Sequence, residues 1–290
     1  ILPAVYAIDM YGHVEKGTDN YDQHMRIKID SARDWWQRRG GVVAAHIHWG
    51  QPGYTKATAW PGRNKKRGID PIDLEKAVTP GTEEYQAVMS DLEMTCDYME
   101  VLHKEKIPVL WRPMHEVDGG WFWWTDKENP ENTARLWRLV YDYMAIERGF
   151  DNLIWVYNPA HVSGTVREEP LDAQVGYRKQ FYPGDQYVDM IGMDIYGSNE
   201  KRETIPWGPP EKESYTQAYK MLQKIAPGKM AAICETGAFT NPDKLAEDHA
   251  KWVYIAPWWA GGEDDYLSFA YGHDFVLSLD ELPNLTHRNT

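Results

Sequence analysis

The 290 residues, 42% hydrophobic and 26% charged, can bury one sizeable core, and no run of about 18 apolar residues suggests a bilayer span. A formal net charge of -13, from 44 acidic against 31 basic residues, excludes nucleic acid and anionic membranes as natural partners. Two cysteines, Cys96 and Cys234, leave one disulfide open without indicating it, so they do not settle the compartment.

Ile1 is not an initiator methionine, which reads as a processed or trimmed chain. The sequon Asn284–Thr286 is too common a pattern to fix a location. The basic run Arg63, Lys65, Lys66, Arg67 sits in a Gly/Pro-rich loop and reads as a solvated surface. Against 6 Phe stand 14 Trp and 18 Tyr, amphipathic aromatics that suit flat surfaces with polar edges such as pyranose rings, though a large core would also hold some of them.

Along the chain, short apolar runs alternate with amphipathic helical stretches, the pattern of a parallel α/β fold. Strand-like runs cover Pro3–Asp9, Val42–Trp49, Ile107–Glu116, Leu153–Asn158, Val188–Tyr196, Met230–Glu235 and Trp252–Trp258. Between the second and third, Thr82–His103 carries Tyr85, Met89, Leu92, Cys96 and Met99 at helical spacing, one buried stripe. Asn129-Pro130 and Asn241-Pro242 each supply an N-cap and a first-turn proline, and Pro227-Gly228 stops a helix around Tyr215–Ile225. The long segments Gly50–Gly81 and Gly197–Glu211, with Trp60 and Trp207, follow strands, where a (β/α) barrel builds its active site. Seven strands are legible where a closed (β/α)8 TIM barrel of roughly 250 residues has eight, so either one strand escapes the pattern or strand one lies upstream of Ile1, and residues 1–290 are expected to form a single catalytic barrel domain.

Chemistry gathers at two strand ends. Arg112, Met114 and Glu116 would share a face of an extended segment, and a glutamate at the C-terminal end of a barrel strand reads as catalytic against the plainer alternative of a structural ion pair. Two glycines and four aromatics follow, Trp121, Phe122, Trp123 and Trp124: a platform for sugar faces, or a hydrophobic plug over the barrel end. A second carboxylate, Glu235, ends the run Met230–Glu235, and two carboxylates flanking one bond are what glycoside cleavage requires.

The segments Arg112–Trp124, Tyr182–Gly197 and Ile233–Gly237 together resemble glycoside hydrolase family 26, whose best-known members are β-mannanases, and the likeness runs from Pro3 to Pro283. That resemblance implies a retaining endo-acting hydrolase of β-1,4-mannosidic linkages on a (β/α)8 barrel, with Glu116 as general acid/base after strand four and Glu235 as nucleophile after strand seven. It implies that His115, His48 and Trp121 contact the reactive sugar, that Arg112 and Tyr196 bond the nucleophile, and that Trp258 stacks on substrate, with Trp259 as fallback. Trp124 is counted among the substrate-binding aromatics. Retaining carboxylates stand ~5–5.5 Å apart and inverting ones ~6.5–9.5 Å. Two departures, Asp118 where the family often has Asn and Ile47 where it has Trp, bear on subsite detail and substrate.

His46 and His48 share a strand face, but no carboxylate or third histidine at suitable spacing completes a metal site in the sequence, so neither metal nor cofactor is expected. Cys234 lacks a histidine partner and reads as a buried small side chain. A polysaccharide partner, a monomer and an extracellular or periplasmic location follow from the size and nature of the substrate. Within the enzyme class the alternatives are a β-1,3-xylanase or a mixed-linkage β-glucanase; from another class, a non-catalytic carbohydrate-binding protein.

Overall fold

A computed structural model describes residues 2–10, 15–16, 18–161, 169–196, 215–236, 242–247, 249–258 and 272–285. Seven parallel strands form one sheet in chain order: β1 (Val5–Asp9), β2 (Val42–His46), β3 (Val109–Arg112), β4 (Leu153–Tyr157), β5 (Met190–Ile195), β6 (Met230–Thr236) and β7 (Trp252–Pro257). The sheet curls into a nearly closed barrel, and each strand matches a segment read from the sequence. Every predicted strand but the sixth ran beyond the observed ladder, usually because its last residues leave the sheet to enter the site. Among the described residues no eighth strand pairs β1 with β7.

Parallel strands covered on both faces need apolar side chains throughout, and β3 and β5 are buried along their whole length. The covering helices are α1 (Asp19–Gln37), α4 (Glu83–Lys104), α5 (Pro130–Tyr141), α6 (Leu171–Lys179), α7 (Tyr215–Ile225) and the short α8 (Pro242–Glu247). α4 starts at Thr82, whose Oγ accepts the Tyr85 amide at 3.1 Å, a cap worth about 1 kcal/mol. Leu92, Cys96 and Met99 form its buried stripe as expected, joined by Val88, Thr95 and Leu102, while Tyr85 and Met89 are half-buried at its margin. Pro130 opens α5 as predicted; Asn129 makes no side-chain cap bond, and its own amide donates to Asp126 at 2.9 Å.

Two short helices, α2 (Pro61–Lys65) and α3 (Leu74–Ala77), order the long segment after β2. Buried Lys16 holds this segment too, its ammonium donating to the Gly50 carbonyl at 3.2 Å and to Asp91 at 2.5 Å. Trp49 donates its indole N–H to Asp91 at 2.8 Å, and Trp123 donates to the Trp49 carbonyl at 2.6 Å. These bonds tie the segment after β2 to the one after β3. The residues Arg63, Lys65, Lys66 and Arg67 are exposed, as read from the sequence. Cys96 and Cys234 are both buried and free, and Cys234 faces the Tyr254 hydroxyl at 3.1 Å.

Register places the site. Asp9 pairs with His46 across β1–β2, and His46 pairs with Arg112 across β2–β3, so three polar side chains meet at the same end of three strands. Asp194 pairs with Glu235 across β5–β6, immediately after a register shift between Met193 and Asp194. Such irregularities re-aim side chains at the rims of barrels. Gly192 allows the two strands their approach, since a Cβ there would lie 2.2 Å from Cys234 Sγ.

Candidate active site

Like charges directly opposite on neighbouring strands repel, so the Asp194–Glu235 pair needs a cation between its members. Arg112 supplies it. From β3 its Nη2 donates to Glu235 Oε1 at 2.6 Å, and its Nη1 donates to Asp194 Oδ2 at 2.9 Å and to Asn158 Oδ1 at 2.5 Å. Tyr196, one residue past β5, donates its hydroxyl to Glu235 Oε2 at 2.6 Å. Each carboxylate oxygen of Glu235 therefore holds one strong donor. Burial works against the Glu235 charge, but Arg112, neighbouring His46 and the Tyr196 hydroxyl outweigh it and hold the carboxyl below its ordinary range.

Glu116 lives in the opposite environment. β3 ends at Arg112, and the alternation expected through Glu116 fails: Met114 packs in the core, His115 makes an isolated parallel bridge to Asn158, and Glu116 itself adopts φ 51°. A left-handed backbone at a non-glycine residue costs free energy that the surrounding structure must offset, and such strain clusters at functional positions. Among the described residues the donor bonded to the Glu116 carboxyl is the Trp121 indole N–H, 2.5 Å from Oε2. Gly119 makes room for it, since a Cβ there would lie 2.4 Å from the Trp121 ring. Burial, then the charge of Glu235, push the Glu116 carboxyl up to about 8. Asp194 is likewise pushed up by burial, with Arg112 pulling the other way. One guanidinium faces three neighbouring carboxylates, and Glu116, whose donor among the described residues is a neutral indole, lacks the direct Arg112 bond that Asp194 and Glu235 have.

The aromatic run after Gly120 divides. Trp121 is half-buried beside Glu116, whereas Phe122, Trp123 and Trp124 are buried, with Trp124 fully so and stacked on Phe122 at 4.4 Å between ring centres. Trp124 donates its N–H to the His115 carbonyl at 2.9 Å. Burial of these three is what a plug over the barrel end requires, and Trp124, counted from sequence among the substrate-binding residues, is bonded to the His115 backbone. Trp258, just past β7, is half-buried with its ring 5.5 Å from His48 and 5.8 Å from His46, and Trp60 stacks on His48 at 5.3 Å. Trp259 and Trp207 lie outside the described residues.

One expectation is overturned. A carboxylate does join His46 and His48: Asp9, from the end of β1, brings a ligand atom within 4.8 Å of theirs. The sequence hid it because Asp9 and His46 are neighbours only through strand register. Among the described residues these three side chains are the ones that could hold a metal ion; Asp9 Oδ2 bonds His48 Nδ1 at 2.9 Å, while His46 Nε2 is buried with no hydrogen-bond partner among those residues.

Asp118, where an asparagine was noted as more usual, is fully buried; its Oδ1 accepts the Ala160 amide at 2.7 Å, and its Oδ2 lies 3.4 Å from Arg178 Nε. Ile47 is buried in the core. Asp194 and Asn158, which sequence reasoning passed over, are as central to the Arg112 network as Glu235. A lone Asp in the apolar run Met190–Ile195 was the available signal, because a buried carboxylate needs a partner.

The sequence profile of glycosyl hydrolase family 26 matches residues 2–281. The chain belongs to that family. It is 30% identical over 293 residues to mannan endo-1,4-beta-mannosidase B of Piromyces sp, covering 98% of this chain and 44% of the relative. It is 25% identical to the mannan endo-1,4-beta-mannosidase of Bacillus subtilis strain 168, covering 97% of this chain and 74% of that one. The chain thus spans less than half the length of its Piromyces relative. In three dimensions this family 26 chain is similar to a beta-mannanase from a symbiotic protist of the termite Reticulitermes speratus, complexed with gluco-manno-oligosaccharide, at TM-score 0.75 and 26% identity, covering 97% of this chain and 81% of that one. A ruminal GH26 endo-beta-1,4-mannanase superimposes at TM-score 0.76 and 25% identity, covering 97% of this chain and 59% of that one.

Proposed function

We propose that this chain is the catalytic barrel of an endo-acting β-1,4-mannanase working by double displacement, with Glu235 as nucleophile and Glu116 as general acid/base. The observation that carries this reading is the contrast between two carboxylates of one cluster: Glu235 is bonded by the Arg112 guanidinium and the Tyr196 hydroxyl and held below its ordinary range, while Glu116 is buried beside the Trp121 indole and pushed up to about 8. Environments that push two carboxyls apart assign their roles. The named mannanases among the relatives support mannan as the substrate, and a polymer of that size places the action outside a cell membrane. No helix among the described residues is long and apolar enough to cross one.

In the first step Glu235 attacks the anomeric carbon as the glycosidic bond breaks, while Glu116 gives its proton to the departing oxygen. Trp121 already donates to Oε2 of Glu116, so the transferable proton sits on Oε1. Once its carboxyl is neutralised by ester formation, Glu235 no longer holds Glu116 up. Glu116 then takes a proton from water, which displaces the ester and restores the original anomeric configuration. His48, His115, Trp121 and Trp258 line the sugar site in this reading, and Arg112 and Tyr196 hold the nucleophile.

Digestion of a defined manno-oligosaccharide, followed from the first minutes by proton NMR and product sizing, tests this. Internal cleavage with β-anomeric products is expected. First-formed α-anomers would remove the nucleophile assignment. Release from β-1,3-xylan or mixed-linkage glucan but not mannan would replace the substrate, and binding without release would make the chain a carbohydrate-binding protein.

A further inference from the structure

Beneath the sugar site of that reading, Asp9, His48 and His115 form a continuous chain of hydrogen bonds. Asp9 Oδ1 accepts the His48 amide at 3.3 Å, and Asp9 Oδ2 meets His48 Nδ1 at 2.9 Å, so one carboxylate grips both the backbone and the ring of His48. The other ring nitrogen of His48, Nε2, lies 3.2 Å from His115 Nε2. The two imidazoles are enclosed, His48 and His115 being 5% and 1% exposed, while the Asp9 side chain is partly buried at 19%. Phe122, its ring 4.7 Å from that of His115, and Trp60, stacked on His48, close the imidazoles in from the sides.

We propose that Asp9 is a positioning residue that fixes the proton of His48 on Nδ1 and, through His48, the proton of His115 on Nε2, locking both imidazoles in one orientation beside the two carboxylates. Which nitrogen of a histidine carries the proton is set by the bond its other nitrogen makes. An ionised Asp9 only accepts, so His48 Nδ1 must donate to it. Only one proton fits between two nitrogens 3.2 Å apart, and there are two ways to supply it. If His48 gave it, His48 would be a second buried cation in this part of the barrel, and His115 would keep an orphaned N–H at Nδ1, which has no hydrogen-bond partner among the described residues. If His115 gives it, both rings stay neutral, and the orphan is a bare acceptor, the less costly kind to leave unmet. Burial, then the nearby His48 and Arg112, hold the His115 imidazole well below its ordinary range, which agrees with the second arrangement. Sequence reading assigned Asp9 no role, since its partner stands 39 positions away.

Nitrogen-15 NMR of histidine-labelled protein without substrate reads the tautomers directly. A protonated Nδ1 with bare Nε2 is expected at His48, and the reverse at His115. Because no sugar is needed, this result is independent of whether mannan is the substrate. The variant Asp9→Asn, nearly isosteric but able to donate as well as accept, should abolish the single-tautomer pattern. It should lower kcat/KM on manno-oligosaccharides by roughly 10- to 100-fold, the range typical of outer residues that orient histidines. A role in stability alone would lower Tm and leave both the tautomers and kcat/KM unchanged, which overturns the proposal. So does wild-type protein with a bare Nδ1 at His48, an outcome that stands even if Asp9→Asn fails to fold.

Discussion

The two halves of the catalytic cleft solve opposite problems. The half built on β5 and β6 brings acidic residues together and stabilises the charge of Glu235: Arg112 spans Asp194 and Glu235, and Tyr196 covers the remaining oxygen of Glu235. The half built after β3 withholds such help. Glu116 stands on a strained backbone against aromatic rings and, among the described residues, has one indole donor and no cation bonded to it. In the proposed roles the same functional group serves as a nucleophile in one half and an acid in the other, and the difference lies in donors and burial rather than in residue type.

Removing the charge from the first half should have the largest effect. Glu235→Ala is expected to cut release of reducing sugar from mannan on the order of 10⁴-fold or more, since nothing else in the cluster is free to attack. A loss below tenfold, measured on folded protein, would mean that the strongly bonded carboxylate is structural and that the comparison assigns the wrong half.

The second half is sharpened by Glu116→Ala, for which losses of roughly 10²- to 10⁴-fold are expected on mannan. Aryl mannosides with good leaving groups need little protonation, so their first step should be nearly spared; equal losses on both substrates would contradict the acid role. Wild-type activity should be bell-shaped in pH. Its alkaline limb falls near 8 as Glu116 deprotonates, and its acid limb lies below the ordinary glutamate range as Glu235 gains a proton. Stability carries the same signature. Folding raises the Glu116 pKa, so the unfolded chain loses its proton first, and stability declines as pH rises from about 4.5 to about 8. The slope is at most ~1.4 kcal/mol per pH unit, and Glu116→Gln, which cannot ionise, should flatten it in pH-dependent melting curves.

Tyr196→Phe takes one of the two donors from Glu235 and leaves the other. A hydrogen bond to a charged group is worth about 1.5–3 kcal/mol, so kcat/KM should fall about 10- to 100-fold. The acid limb should also move to higher pH, because the carboxylate has lost a bond that favoured its charge. An unmoved acid limb would show that Arg112 alone sets the state of Glu235.

How much of this was legible in the sequence follows from the range of each interaction. Strand runs and the α4 stripe come from local periodicity, and all seven strands were readable to within a few residues at each end. Glu116 and Glu235 were findable because each terminates an apolar run, and Arg112 and Tyr196 because they resemble a family pattern. Asp9, Asn158 and Asp194 acquire their roles only through lateral register between strands, which a linear pattern does not encode. The positive φ at Glu116 was hidden too: strict alternation placed it on the face of Arg112, and the carboxyl reaches the site by a turned backbone instead.

The smallest expected effect tests whether the two halves are insulated from their surroundings. Asp118 sits two residues beyond Glu116, and its negative charge adds slightly to the upward push on that carboxyl. Arg178 absorbs most of that charge, and is itself anchored to the carbonyls of Ala160, His161 and Gln174. Asp118→Asn keeps an oxygen for the Ala160 amide but removes the anion facing Arg178. A stability loss of ~1–3 kcal/mol is expected from the uncompensated guanidinium. Activity should change less than about threefold, with the alkaline limb moving slightly to lower pH, since roughly 1.4 kcal/mol is needed for a tenfold change and a charge paired with Arg178 delivers only part of that. A large activity loss at unchanged Tm would mean that Asp118 acts on Glu116 directly, and the acid's environment would then extend beyond the aromatic wall to the buried ion pair behind it.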